Sequence, residues 1–435
     1  LTAAGGTAST FSAAAAVRQG LAEAGFSVER VAGYGRKRHM TIARKAGVNA
    51  APASKPANVT VIGGGIAGVS VARALADRGV QVTLLEERSA LAMGGSGTPA
   101  AMLFPRLAKQ WTAAARADWA ALYHLRRCWL PSSASDGLMQ IAKNQRGKRD
   151  AEGWAALPAQ LGMPEAVMRA CDAAELSERV GITIKHGGLF IADSQLISMP
   201  DLVLKMAEHP FIKIINGVGV ESLEKTGDGW LLMTNCGIMN ASHVIVACGS
   251  TALRLLPFLT LPLVPVRGQL TRLPTSEPLK AQRLPLGYGG YLSPPDASGH
   301  HWLGATFDRG DCSSELSAAS HAENIGKLGE IMPALNVMDT TTAALSGWVG
   351  HRMTSPDRLP LIGAAPSSVD ADVSGLYLSL AHGSRGALSG PLGGEILAAA
   401  ICQLPTPVEQ SVLGTYDPAR FQARAKRSFL HSSKE

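Results

Sequence analysis

Residues 59–68, Val-Thr-Val-Ile-Gly-Gly-Gly-Ile-Ala-Gly, decide the fold of this 435-residue chain. The apolar run at its start predicts a short buried strand, and residues 66–77 continue as a helix with small and apolar side chains on one face. The glycines between them form a G-x-G-x-x-G motif, which permits a tight turn and a close approach of the backbone to a pyrophosphate. A second strand, 81–86, ends at Glu86, 18 residues after Gly68, where a carboxylate can accept hydrogen bonds from a ribose. The unit predicts a dinucleotide site.

Three later segments favour FAD over NAD. Residues 94–97 (GGSG) place a second small-residue turn after the second strand, and residues 244–249 (VIVACG) predict a buried strand that returns to the first sheet. Residues 381–386 (AHGSRG) precede a helix whose N-terminal amides can face an electron-rich flavin carbonyl. The predicted cofactor-binding residues are Gly63, Gly65, Ile66, Ala67, Gly68, Glu86, Gly95, Ser96, Val218, Gly249, Gly383, Ser384 and Gly386.

Strand patterns dominate the rest of the chain and predict an α/β fold, in which a Rossmann-like FAD-binding domain is interleaved with an antiparallel-sheet substrate domain. Short apolar runs alternate with Pro and Gly over residues 262–350, which favours a mostly antiparallel sheet. Further strands are predicted at 188–192, 212–215, 218–223, 230–234, 243–247 and 376–380, with a turn at 227–229 and a last helix at 388–401. FAD binding is assigned mainly to 58–110, 188–255 and 350–402, and substrate binding mainly to 111–187 and 256–349, within a unit of 58–435.

The N-terminal 45 residues are too few to form a domain and are interpreted as the end of one. A helix is predicted over 8–25, capped by Ser9 or Thr10, followed by strands at 26–31 and 40–43. Residues 46–57, which are small and contain proline, are predicted to be a linker.

Composition indicates a globular protein with a large core, since 46% of the residues are apolar and 17% are charged. The sequence contains no charge-free apolar run long enough to span a bilayer, and its six scattered cysteines suit neither a zinc site nor a disulfide framework. We therefore expect a cytoplasmic protein without a metal.

The net charge of +7 is concentrated at the chain ends. Residues 1–45 hold seven basic and two acidic side chains, and five more cations follow near the C-terminus, at Arg420, Arg424, Lys426, Arg427 and Lys434. Such clusters can neutralise phosphates, although exposed termini are often basic for no functional reason.

The chain from residue 58 to about 400 resembles the D-amino-acid oxidase and glycine oxidase superfamily, through the glycine motif, Glu86, the GGSG turn, the Arg352–Gly363 segment and the HGSRG turn. It is more closely similar to the family of bifunctional tRNA 5-methylaminomethyl-2-thiouridine biosynthesis proteins. This similarity is carried by 94–107 (GGSGTPAAMLFPRL), 382–386 (HGSRG) and 417–421 (DPARF), and by 5–11 (GGTASTF) with 33–38 (GYGRKR) in the N-terminal piece. One departure is GGSGTP, where that family has GASGN.

The resemblance implies FAD-dependent removal of the carboxymethyl group from 5-carboxymethylaminomethyl-2-thiouridine at the tRNA wobble position. A hydride leaves the carbon between nitrogen and carboxylate, and hydrolysis of the resulting imine gives glyoxylate and the primary amine. tRNA is the implied partner. The resemblance also identifies residues 1–45 as the C-terminal end of that family's methyltransferase domain. S-adenosylmethionine is implied only together with the rest of that domain, so methyltransferase activity is not expected from these residues.

Three residues are predicted to take part in catalysis. Arg352 matches the superfamily position that binds the substrate carboxylate, Arg385 is a second candidate beside the flavin, and Tyr291 is a candidate for the pocket wall. Either arginine can instead pair with an acid or fix a loop, and Tyr291 can belong to the core. His351 and His382 are predicted to support the site without acting as bases, and Lys109 to lie on the surface.

Two alternatives remain open from the residues alone. One is a small-molecule amine oxidase for glycine, sarcosine or a D-amino acid, which shares the flavin site and the arginines. The other is a tRNA-binding remnant without catalysis.

Overall fold

The computed structural model describes residues 5–45, 55–130, 137–142, 151–227, 229–332, 344–366 and 372–422. The glycine motif lies at the centre of a six-stranded sheet. Its strands, in spatial order, are β11 (Ile212–Asn216), β5 (Gln81–Glu86), β4 (Asn58–Ile62), β15 (Val244–Val246), β23 (Leu376–Leu380) and β22 (Leu361–Ala364). All neighbours are parallel except β22 and β23, which are antiparallel. Because β15 pairs with β4, the predicted return of residues 244–249 to the first sheet is confirmed.

Four helices cover one face of this sheet and share its largest apolar core: α2 (Ile66–Ala76), α3 (Ala113–Trp129), α7 (Met199–Ala207) and α10 (Gly386–Ile401). Glycines in α10 let it approach α2 closely. A Cβ atom on Gly394 would lie 2.4 Å from the carbonyl oxygen of Ser70, and one on Gly390 would lie 3.1 Å from Ile66. The predicted helix 388–401 is thus present and begins two residues earlier.

The second large sheet has nine strands, and neighbouring strands are antiparallel except for one parallel pair, in which residues 286–287 lie beside 139–140. This confirms the mostly antiparallel character expected of residues 262–350. The strands are β20 (Asp308–Arg309), β16 (Val264–Pro274), β19 (His300–Gly304), β18 (Tyr291–Leu292), β17 (Leu286–Gly287), β7 (Leu138–Ile141), β9 (Gly188–Ile191) and β8 (Met168–Cys171), with β21 (Gly347–Thr354) paired to β16.

Smaller elements complete the body. An antiparallel sheet consists of β12 (Val220–Thr226), β13 (Gly229–Thr234) and β14 (Gly237–Ala241), and β6 (Ala101–Met102) pairs with β10 (Leu196–Ile197). The strand predicted at 218–223 therefore begins two residues later, and the turn predicted at 227–229 includes Asp228, which lies outside the described residues. The other helices are α4 (Ala151–Ala155), α5 (Leu157–Leu161), α6 (Ala173–Val180), α8 (Ala252–Leu255), α9 (Ala318–Gly329) and α11 (Gln410–Tyr416).

Two segments pack with a different sheet from the one expected for the domain to which the sequence assigned them. Residues 188–191, assigned to FAD binding, form β9 in the nine-stranded sheet, because they pair with β7 and β8. Helix α3, assigned to substrate binding, buries Trp119, Leu122 and Leu125 in the core of the six-stranded sheet. The other domain boundaries stay predictions.

The N-terminal piece forms its own three-stranded sheet, in which β3 (His39–Lys45) lies between β1 (Thr7–Thr10) and β2 (Phe26–Ala32). The helix predicted over 8–25 is wrong at its start: residues 7–10 pair with β3, and α1 spans only Ala15–Glu23. The ladder with β3 outweighs the local helix pattern because it satisfies the backbone of 7–10 across the sheet. The predicted cap is also wrong, since Ala14 precedes the helix. Most of the predicted linker, 46–54, lies outside the described residues.

Candidate functional site

A cavity of ≈ 1070 Å³ lies between the two large sheets. On one side it is lined by the glycine turn after β4 and by the ends of β5, β15 and β23. On the other side it is lined by residues of the nine-stranded sheet, including Tyr291 and Arg352. The carboxyl ends of the parallel strands thus open onto the substrate sheet, as is usual for nucleotide sites in α/β folds.

The turn after β4 requires glycine because side chains at Gly63 and Gly68 would clash with the neighbouring backbone. Gly63 has φ +112°, and a Cβ atom on it would lie 2.7 Å from the carbonyl oxygen of Ala247. A Cβ atom on Gly68 would lie 1.9 Å from the carbonyl oxygen of Gly63. Gly65, Ile66 and Ala67 line the cavity, whereas Gly68 does not, so its contribution is the close packing of α2 on the turn.

Glu86 holds the turn at the end of β5. Its side-chain Oε2 accepts a hydrogen bond from the Gly64 backbone at 2.7 Å, and Oε1 accepts one from the Arg88 backbone at 2.9 Å. The residue is buried yet lines the cavity, and each carboxylate oxygen has a second lone pair for a ribose hydroxyl. The Val218 backbone donates to the Glu86 carbonyl at 2.9 Å, which brings that predicted residue to the same wall.

The GGSG turn lies directly against the start of α2. Ser96 Oγ accepts a hydrogen bond from the Ile66 backbone at 2.9 Å, and its hydroxyl proton has no acceptor in the part of the chain that is described. A Cβ atom on Gly95 would lie 2.6 Å from the carbonyl oxygen of His351. Both Gly95 and Ser96 line the cavity, so the departure from GASGN leaves the turn compatible with a bound pyrophosphate.

The HGSRG turn closes the cavity beside β23. Gly383, Ser384 and Gly386 line it, as does Gly249 after β15. The His382 ring is fixed by two hydroxyls, with Nε2 3.0 Å from Ser379 Oγ and Nδ1 2.8 Å from Ser389 Oγ. Burial lowers the pKa of His382 to about 4, which favours a neutral ring at physiological pH. Its supporting role stays a prediction.

Arg352 presents its guanidinium to the cavity from β21. One hydrogen bond is found for it among the described residues, from Nη1 to the Thr306 carbonyl at 3.2 Å, so most of its five N–H donors are available. Gly268 on β16 makes room for the group, since a Cβ atom there would lie 2.5 Å from Nη2. Burial lowers the pKa of Arg352, and the neighbouring Tyr291 and Asp308 oppose that shift. Tyr291 lines the cavity and donates its hydroxyl to the Ala100 carbonyl, and burial raises its pKa.

Arg385 also lines the cavity but is paired with an acid, one of the alternatives raised by the sequence. Its Nε lies 3.1 Å from Oδ2 of Asp118, which is 3% exposed. The same carboxylate oxygen accepts a hydrogen bond from the Arg106 backbone at 3.0 Å. Burial raises the pKa of Asp118, while Arg385 and Arg106 partly counter that rise. Sequence reasoning missed this partner, because an isolated Asp in an amphipathic helix has no motif around it.

Other residues at the cavity were also missed. Gln140, Thr306, Phe307, Lys327 and Trp348 line it, although no motif marks any of them in the sequence. His351 lines the cavity as well, whereas Lys109 is exposed and away from it, as expected.

The C-terminal cation cluster expected from the sequence needs a correction at Arg420. Its guanidinium is buried and bonds both oxygens of Asp357 at 3.0 Å, and it donates to the Pro360 carbonyl at 3.0 Å. Arg420 therefore ties the DPARF segment to the Arg352–Gly363 segment and is not available to a phosphate. The remaining cations, Arg424, Lys426, Arg427 and Lys434, lie outside the described residues.

Across the described ranges, no helix combines the length and apolar character needed to cross a membrane. The same residues contain no group of three or more His, Cys, Asp or Glu side chains placed to hold a metal ion. All six cysteines lie within the described ranges, and each is a free thiol there.

Comparison with known proteins gives two family matches. Residues 58–400 match the model of the FAD dependent oxidoreductase family, and residues 1–46 match the model of an S-adenosyl-L-methionine-dependent methyltransferase family. The tRNA 5-methylaminomethyl-2-thiouridine biosynthesis bifunctional protein of Chromobacterium violaceum is 36% identical, over 97% of this chain and 69% of the relative. That of Ectopseudomonas mendocina is 34% identical, over 98% of this chain and 70% of the relative.

A solved structure with a similar fold is glycine oxidase from Geobacillus kaustophilus. It has a TM-score of 0.68 and 21% identity, and the match covers 84% of this chain and 99% of that one. At this identity the likeness concerns the fold alone.

Proposed function

This chain belongs to the FAD dependent oxidoreductase family, and from that premise we propose that it removes the carboxymethyl group from 5-carboxymethylaminomethyl-2-thiouridine at the wobble position of tRNA. The products are 5-aminomethyl-2-thiouridine in tRNA and glyoxylate. The predicted fold class, the FAD dependence and the resemblance to the bifunctional tRNA-modifying proteins are confirmed by the comparisons.

One observation supports the reaction more than any other: the free donors of Arg352 lie in the same cavity as the glycine turn and Glu86. A planar guanidinium with several unused N–H groups is suited to bind a carboxylate through two parallel hydrogen bonds. The substrate arm ends in a carboxylate, so this contact fixes the carbon to be oxidised inside the cavity that the dinucleotide turn adjoins.

The residues that would hold FAD fit that role. The glycine turn and the Ser96 hydroxyl would bind the pyrophosphate, Glu86 would bind a ribose, and the HGSRG turn would form the remaining wall. When bound, FAD supplies the two-electron oxidation of the C–N bond. The protein then contributes orientation and exclusion of water.

The cavity also favours the uncharged form of the amine, which hydride loss requires. Arg352 is a cation at the cavity, and a nearby cation disfavours the ammonium form. Glu86, the buried acid on the opposite side, already accepts two backbone hydrogen bonds and so is less able to stabilise an ammonium. Tyr291 is proposed to form the wall next to Arg352, and Arg385 to stay fixed by Asp118.

tRNA is the proposed partner because the similar proteins from Chromobacterium violaceum and Ectopseudomonas mendocina are named for a tRNA modification. The proposed substrate places the reaction in the cytoplasm. The match to a methyltransferase family covers residues 1–46, and use of S-adenosylmethionine would need the rest of such a domain.

The test is incubation of the FAD-loaded chain with tRNA carrying 5-carboxymethylaminomethyl-2-thiouridine, followed by nucleoside mass spectrometry and a glyoxylate assay. We expect one glyoxylate for each aminomethyl nucleoside formed. Oxidation of glycine or sarcosine with unchanged tRNA would instead support the small-molecule oxidase. Binding of tRNA without any oxidation would support the non-catalytic alternative.

A further inference from the structure

Phe307 lies at the mouth of the cavity. Its side chain lines the cavity, yet 40% of it is exposed to solvent. The Arg352 guanidinium carbon lies 5.9 Å from the centre of its ring. An aromatic ring in this position is open to a planar partner that approaches from outside.

The segment that carries Phe307 is held in place by Arg267, a buried residue of β16. Arg267 donates to the Ser313 carbonyl at 3.0 Å and to Asp308 at 3.4 Å, and its Nε lies 3.6 Å from Asp311. Thr306 adds a hydrogen bond to Asp308 at 2.9 Å. The position of Phe307 is therefore set by buried contacts on both sides of it.

These contacts also determine the charge at the mouth. Asp308 and Asp311 are both ion-paired with Arg267, while the exposed Arg309 has no ion pair within the described ranges. The Arg309 guanidinium carbon lies 6.0 Å from the centre of the Phe307 ring. An exposed ring with an uncompensated cation next to it is a combination suited to a nucleotide, since bases stack on aromatic side chains and arginine binds phosphate.

We propose that Phe307 stacks on the uracil ring of the wobble nucleotide and that Arg309 binds a phosphate next to it. This inference rests on the proposed function and names the residues that would select a nucleotide over a free amino acid. Both guanidiniums lie near the outer limit of about 6 Å for contact with the ring, which leaves ring surface for a base.

The distances suit the substrate. The arm from uracil C5 to the carboxylate carbon, CH2–NH–CH2–COO⁻, extends roughly 5 Å at ordinary bond lengths. Arg352 lies 5.9 Å from the Phe307 ring centre, so a base on that ring can place its carboxylate at the guanidinium. A base that reacts in an enzyme pocket must leave its neighbours, and stacking on Phe307 replaces part of the lost stacking.

The test compares Phe307→Ala, Phe307→Tyr and Arg309→Gln with the unmodified chain, all loaded with FAD. The measurements are kcat/KM on modified tRNA at several salt concentrations and inhibition by the free nucleoside 5-carboxymethylaminomethyluridine. Matched controls are Leu316→Ala, which changes an exposed apolar residue of the same segment, and Lys280→Gln, which removes an exposed cation elsewhere on the surface.

We expect Phe307→Ala to lower kcat/KM on tRNA about tenfold or more and to weaken inhibition by the nucleoside similarly, with Phe307→Tyr close to the unmodified chain. Arg309→Gln should leave nucleoside inhibition unchanged and reduce the salt slope of tRNA turnover by about one. Variants that match their controls, or a nucleoside that does not inhibit, would overturn the inference while tRNA turnover persists. Absence of turnover in the unmodified chain would instead refute the proposed function itself, and this inference with it.

Discussion

Arg352→Ala removes the guanidinium that is proposed to bind the substrate carboxylate. Within the described structure this group makes one hydrogen bond to protein, at 3.2 Å to Thr306, so the variant loses little of the fold. It loses two charge-assisted hydrogen bonds to substrate and leaves the substrate carboxylate without its partner in the cavity. Breaking such a pair costs about 3–5 kcal/mol, which corresponds to a fall in kcat/KM of about 10²–10³·⁵.

Arg352→Lys and a chemical rescue of Arg352→Ala test the same contact. Arg352→Lys keeps the charge but loses the planar fork, and we expect a loss of about tenfold to a hundredfold. In Arg352→Ala, added methylguanidine should restore part of the rate by occupying the space that Gly268 leaves open beside the missing group. Arg272→Ala is the matched control, because Arg272 lies on β16 and pairs with Asp296 at 3.3 Å, away from the cavity.

The assay is single-turnover conversion of tRNA, followed by nucleoside mass spectrometry, with bound FAD measured for each variant. Glycolate, which shares the carboxylate, should inhibit the unmodified chain and not Arg352→Ala. A loss of less than tenfold in Arg352→Ala with FAD retained would refute the assignment. Equal inhibition by glycolate in both proteins would do the same.

Three other outcomes are expected. Glu86→Gln should weaken FAD binding about tenfold or more, measured by titration of the apoprotein, since a charged acceptor is lost; unchanged affinity would exclude Glu86 from the cofactor site. Burial raises the pKa of Asp357, but contacts with Arg420 and Ser355 together outweigh it and lower the pKa to about 2. The ionised carboxylate therefore stabilises the folded state fully above about pH 4, and this stabilisation is lost as the pH falls towards 2. Urea unfolding at pH 5 should therefore show a loss of about 3 kcal/mol in Arg420→Met, a difference that shrinks at pH 3. Burial lowers the pKa of His382 to about 4, so the unfolded chain binds the proton first and the free energy of unfolding falls as the pH drops from about 6.5 to 4. Relative to His382→Gln, the unmodified chain should lose about 2 kcal/mol of this free energy between pH 7 and pH 5. Parallel curves of stability against pH for the two proteins would contradict this.

The sequence by itself determined the unit from β4 to β5. The strand, the glycine turn, the helix and Glu86 follow one another within a short stretch, and each is specified by its own residues: apolar side chains for the strand, glycines where a Cβ atom would clash, and an acid at the strand end. The resemblance to a known family then indicated that the dinucleotide is FAD and which reaction it serves. Arg352 was found because it lies in a segment that the family shares.

Only the tertiary structure decided which charged groups are free and which are paired. Arg385 meets Asp118 and Arg420 meets Asp357 across long stretches of sequence, and no local pattern indicates that these residues pair. The start of the N-terminal piece became a strand because β3 lies beside it. Phe307 lines the cavity, with Arg309 next to its ring, because the buried Arg267 holds their segment and its acids. Pairing, burial and strand neighbours are properties of residues that meet only after folding, and periodicity and propensity along the chain contain no information about them.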